Sequence, residues 1–88
     1  MNADSIWSMV KEQLNKQLTP VAMETWIEAC EPVDLEGDRM VIRVRDEFRK
    51  KIIHERFGPV ITQALCEIFS APSFDLIVLT DEETVDSV

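Results

Sequence analysis

Two periodicities divide this chain. Trp7, Val10, Leu14 and Leu18 recur at helical spacing and, at about 100° per residue, share one face. Ser5 stands just ahead of the pattern as an N-cap, so a first helix is expected from Ser5 to near Leu18. Ile6 and Met9 sit at the edge of that face and make the apolar stripe wider than one packing partner needs. Thr19-Pro20 opens a second helix. Threonine caps it, and proline suits the first helical position, where its missing N–H would go unpaired anyway. Met23, Trp26, Ile27 and Cys30 form the inward row, with Val21, Ala22 and Ala29 turned elsewhere. Glu31-Pro32 ends this helix, because the residue before proline avoids helical angles.

The period then falls to two. Val33 to Glu36 reads as a short strand, Gly37-Asp38 as a turn, and the stretch from Arg39 as the returning antiparallel strand. Met40, Ile42 and Val44 take one face of it; Val41, Arg43 and Arg45 take the other. At Val44–Asp46 the period switches again. Asp46 is placed to cap a helix whose first turn carries Glu47 and Phe48, with Ile52 and Ile53 near the same side as Phe48. Gly58-Pro59 interrupts that helix and begins another, lined by Val60, Ile61, Ala64, Leu65 and Ile68 and ended by Ala71-Pro72. Phe74 to Thr80 reads as a third strand, and its run Leu76–Leu79 suggests cover on both sides, at least in part. The order helix, helix, strand, strand, helix, helix, strand predicts an α+β fold with a three-stranded sheet packed by helices. Residues 1–80 are expected to form one domain, and the acidic, aperiodic residues 81–88 to begin a flexible linker.

Charge sharpens this outline. The chain has 88 residues and a net charge of −8, yet seven of its nine Lys and Arg residues lie between Arg39 and Arg56. Only Asp46, Glu47 and Glu55 oppose them there, so an acidic domain carries one basic side. The acidic balance argues against nucleic-acid binding by the surface as a whole, since phosphates would be repelled. The basic stripe reads equally as a solvated face or as a contact for an acidic partner. Two cysteines make no disulfide framework, nothing resembles a signal peptide, and the apolar runs are far shorter than a membrane span. A reduced, cytoplasmic setting follows.

Catalytic chemistry is not legible. His54 stands alone on a helix among Lys51, Glu55 and Arg56, and with Cys30 and Cys66 it makes no zinc-ligand spacing. Ser5 and Ser8 have no histidine within reach, the carboxylates are scattered, and the two glycines stand singly in turns rather than in a phosphate loop. An enzyme is not expected. The α+β order suits a KH module, but the GXXG loop that clamps RNA in such modules is missing.

Several local sequences together resemble the N-terminal domain of the DnaA family of bacterial chromosomal replication initiators. These are Ile6-Trp7, Leu18-Thr19-Pro20, Glu24-Thr25-Trp26-Ile27, Leu35-Glu36-Gly37-Asp38, the junction Asp46-Glu47-Phe48 and the strand from Phe74 to Leu79 with its acidic sequel. The likeness covers almost the whole chain. It implies a KH-like fold without an obligatory RNA role, acting as a docking module. Such a module associates with other copies of the initiator, contacts the replicative helicase for loading and receives regulators of initiation. ATP binding and origin-DNA binding would belong to later domains of a longer parent, so no cofactor and no membrane contact is expected here.

Residue by residue, the helicase-contact phenylalanine of the family falls on Phe48, flanked by Glu47 and Arg49 where regulators bind. The tryptophan linked to self-association falls on Trp7, with Ile6 and Met9 beside it. A further helicase-contact acid found in some members falls on Ala22, which carries no charge, and the usual proline–asparagine pair before the junction is Arg45-Asp46. Each position also has a plainer reading: Trp7 and Phe48 as core, Trp26 as core. Two competing functions remain at this level. One is a KH-like weak binder of single-stranded nucleic acid using Arg43, Arg45, Arg49 and Lys50; the other is a free-standing regulator that mimics the initiator domain.

Overall fold

A computed structural model describes residues 2–81. Helix α1 (Ala3–Leu14) is followed by α2 (Pro20–Ala22), which runs on into a π-helical turn, Met23–Ile27. Strands β1 (Glu31–Glu36) and β2 (Arg39–Val44) come next, then α3 (Glu47–Ile52), a second π-helical turn (Ile53–Phe57), α4 (Gly58–Phe69) and β3 (Asp75–Thr80). The α+β order read from the sequence therefore holds, and it is consistent with a KH-like arrangement.

The sheet has the order β1-β2-β3, with β1 antiparallel to β2 and β2 parallel to β3. Gly37 makes the hairpin possible. Its φ of +61° is open to glycine without a Cβ penalty, and a glycine at the first central position is what a two-residue II′ turn requires. The parallel pairing needs a long crossover, which α3 and α4 supply.

One cluster forms the core. Ile6, Val10 and Leu14 of α1 and Ile61 and Leu65 of α4 meet Met40, Ile42, Val44 and Val78 from the inner row of the sheet. The opposite row, including Val41 of β2 and Ile77 and Leu79 of β3, contributes nothing to that cluster. Val41 is nonetheless buried, whereas Ile77 remains 36% exposed. β3 is thus covered by helices on its inner face and in part on its outer face, where Leu79 is half-buried. It lies at the edge of the sheet, and its run of four apolar residues faces the helices with Leu76 and Val78 and the partly covered outer face with Ile77 and Leu79.

Three boundaries move. The cap of α1 is Asn2, whose side chain accepts from the Ser5 N–H at 2.8 Å, so Ser5 lies inside the first turn rather than ahead of it. The same helix ends at Leu14. Its chain then tightens, with the Gln17 and Leu18 N–H groups both donating to the Leu14 carbonyl, and Leu18 still packs on the core. Strand β1 begins at Glu31, not Val33, and so contains Pro32. An edge strand accepts proline because one side of it owes no ladder bond, and the register shifts between Pro32 and Asp34 as a bulge does. Of the supposed linker, residues 82–88 lie outside the described residues.

Candidate docking site

The junction between β2 and α3 positions the most exposed aromatic ring. Asp46 caps α3: its Oδ1 accepts from the Arg49 backbone N–H at 2.8 Å, and its Oδ2 lies 3.2 Å from Arg49 Nη1. The cap fixes the first turn, and Phe48 on that turn is 64% exposed. The core reading of Phe48 is set aside. Its ring is not free-standing, however. It lies 6.2 Å from the ring of Trp26, tilted by 51°, and Trp26 lies 6.3 Å from the ring of Phe57. Phe57 is buried, Trp26 half-buried and Phe48 exposed, so three rings lead from the core to the surface. Trp26 comes from one π-helical turn and Phe57 from the other. Such turns are uncommon and recur at functional sites.

Trp26 is therefore more than a core residue, and it and Phe57 are the members of this patch that the sequence does not reveal. Only the geometry of the π-helical turn brings it under Phe48; its position in the inward row of α2 gave no sign of that. Val21, on the same helical segment, is 72% exposed, while Ala22 is half-buried and packs against the core. Glu47 is exposed beside Phe48, and Arg49 is half-buried under the hold of Asp46.

The residues drawn together by the family's self-association role separate here. Ile6 and Trp7 are 0% and 2% exposed and belong to the core, and only Met9 reaches solvent. The indole Nε1 of Trp7 is buried without a hydrogen-bond partner.

The basic residues gather at one place. Arg43, Arg45 and Arg49 line a cleft of about 270 Å³, but Glu31 and Asp81 line it too. Arg43 pairs with both carboxylates, at 3.3 and 3.7 Å, and Arg49 with Asp46. Most of the positive charge is thus answered from within the domain, which removes much of its pull on phosphate. Lys50 is half-buried on α3.

Among the described residues no group of His, Cys, Asp and Glu side chains could hold a metal ion, and no helix is long and apolar enough to cross a membrane. Cys30 is buried, and burial pushes its thiol up to about 12 from the usual 9.0. Its Sγ donates weakly to the Trp26 carbonyl at 3.4 Å, so it supports the π-helical turn rather than offering a nucleophile.

The DnaA N-terminal domain family matches residues 4–67, from the first turn of α1 into the last turns of α4. This chain belongs to that family. It is 26% identical over 82 residues to the chromosomal replication initiator protein DnaA of Lacticaseibacillus casei (strain BL23), covering 93% of this chain and 18% of that protein. Against the DnaA of Symbiobacterium thermophilum the identity is 27% over 63 residues, covering 72% of this chain and 14% of the relative. The chain thus spans under a fifth of the length of these DnaA relatives. The matched region holds the whole three-ring patch of the DnaA N-terminal domain described here.

Proposed function

We propose that this domain is the docking module of a DnaA-type replication initiator, and that Phe48 seated on Trp26 is the anchor by which it holds the replicative helicase. The observation that carries this reading is the exposed Phe48 ring resting on a half-buried tryptophan. An aromatic side chain that is exposed yet already fixed loses little freedom on binding, and such anchors dominate interface energies. Glu47 and Arg49 beside it supply a polar rim of both charges, suited to selecting partners and to receiving regulators of initiation. The patch is small, so a single contact is weak. Several initiator copies held together would raise the effective concentration of the helicase and convert weak contacts into firm recruitment. No catalysis is assigned to the domain.

Phe48→Ala tests this. Calorimetric titration with the replicative helicase is expected to show binding weakened by about 1–3 kcal/mol. A thermal melt of the same variant is expected to stay near wild type, because the lost ring is mostly in water. Unchanged binding with a large loss of stability would overturn the assignment.

A further inference from the structure

Phe57 ends the second π-helical turn, and its burial alone does not call for an aromatic ring. It is 9% exposed within the core cluster, where an aliphatic side chain of similar volume would be tolerated. Its placement is more specific. At Phe57 the backbone turns to φ −110° and ψ −12°, away from helical values, so the chain bends between the turn Ile53–Phe57 and α4. The ring then lies 6.3 Å from that of Trp26, tilted by 34°, while Phe48 lies 6.2 Å from the same indole. Both separations fall in the range at which ring pairs attract. The backbone of Trp26 is steadied separately, its carbonyl accepting from Cys30 Sγ at 3.4 Å. The indole itself is only half-buried, so core packing closes one part of it and the neighbouring rings close the rest.

We infer that Phe57 is a positioning residue for the docking anchor: it sets the tilt of the Trp26 indole and, through it, the direction in which Phe48 presents its ring. The inference rests on the docking reading of Phe48 and adds to it a residue that touches no partner. Order passes outward along the three rings. Phe57 is fixed by the core, Trp26 is half-fixed, and Phe48, 64% exposed, has the least cover of its own. A ring held in this way meets its partner already oriented, so little freedom is lost on binding. With an aliphatic side chain at position 57 the core stays filled, but the indole gains a more mobile neighbour without a flat face. Phe48 then samples several directions, and only a fraction of the molecules present it correctly. Apparent affinity falls by that fraction, while the fold persists.

Two readouts on the same variants test the inference: the NMR signals of the Phe48 ring protons, which feel the ring current of Trp26, and calorimetric titration with the replicative helicase. Phe57→Met and Phe57→Leu are each expected to move the Phe48 signals toward those of an unstacked ring and to weaken binding about three- to tenfold. Phe57→Tyr keeps the ring and should keep both readouts near wild type. Val10→Ala, a truncation of the core on α1, should lower the melting temperature and leave both readouts unchanged. Phe48 signals and affinity that stay at wild-type values in Phe57→Met and Phe57→Leu would overturn the inference and leave the docking reading standing. So would a Val10→Ala variant that moves them equally, since the effect would then be one of general stability. Helicase binding that survives Phe48→Ala would overturn the docking reading instead, and the ring-proton signals, which need no partner, would still decide whether Phe57 orients Phe48.

Discussion

The rings of Trp26 and Phe48 lie 6.2 Å apart and tilted by 51°, one from the turn that follows α2 and the other from the first turn of α3. Such pairs contribute about 0.5–1.5 kcal/mol beyond their buried area. In helicase binding, Phe48→Ala and Trp26→Ala should therefore be coupled, the double variant losing less than the sum of the two by about that amount. Calorimetric titrations of all four proteins measure it. Strict additivity would mean that Trp26 does not support the anchor.

The cap of α3 should be separable from the ring it positions. Asp46→Ala removes the acceptor for the Arg49 N–H and is expected to cost about 1 kcal/mol of stability, while Asp46→Asn retains an acceptor and costs less. Thermal melts of the two variants check the order. Asp46→Ala should also weaken helicase binding without altering any atom of Phe48, because the first turn loosens.

Trp7 reports on folding. Its side chain is 2% exposed within the core cluster, so Trp7→Ala is expected to lose about 3–5 kcal/mol. Trp7→Phe should cost clearly less, since the indole N–H it removes has no partner to lose. Urea unfolding distinguishes them. A Trp7→Ala protein as stable as wild type would contradict the packing described for α1.

Alkaline pH should unfold the domain partly through Cys30. Its thiol titrates at about 12 when folded against 9.0 ordinarily, because burial opposes the thiolate. Above pH 9 the unfolded chain therefore binds fewer protons than the folded one. Stability is full below pH 9 and falls toward pH 12, by up to about 1.4 kcal/mol per unit. Denaturation of wild type and Cys30→Ala at pH 8 and pH 10.5 isolates this contribution: the alanine variant should lose less on going to the higher pH. At neutral pH the thiol is expected to resist alkylating reagents until the fold opens.

Gly37 should tolerate asparagine better than alanine. Nothing lies within 4 Å of a Cβ built there, so any cost comes from the φ of +61° alone, about 1 kcal/mol for alanine. Thermal melts of Gly37→Ala and Gly37→Asn read it directly.

Periodicity made the element order legible, because each helix and strand here has one inward row and the rows change period at Glu31-Pro32 and at Asp46. The caps Thr19 and Asp46 were legible for the same local reason: each accepts an N–H three residues on, from Ala22 and from Arg49. Asn2 was not legible as a cap, because Ser5 lies closer to the first apolar residue. The site was half legible. Phe48 could be placed on a first helical turn, but whether its ring closes the core or faces water is decided only by the packing. Trp26 could not be set beneath it, because an α-helix and a π-helical turn differ in where they aim a side chain while leaving the same pattern in the sequence. The degree of cover on each face of β3 was hidden too: Leu76–Leu79 is apolar on both faces, and composition does not say that Ile77 stays 36% exposed while Val78 is buried.

The parallel ladder between β2 and β3 also sets a timetable. The hairpin of β1 and β2 joins neighbours in the chain, but β3 must close a loop containing both α3 and α4 before Met40 meets Leu76 and Ile42 meets Val78. Contacts so distant in sequence form late, since the entropy of closing the loop comes before any contact offsets it. On a ribosome, where the chain appears from its N-terminus, the core stays open along β2 until the residues around Val78 have emerged. A nascent chain halted at Pro72 should therefore remain sensitive to protease, and one extended past Asp81 with room to leave the tunnel should not.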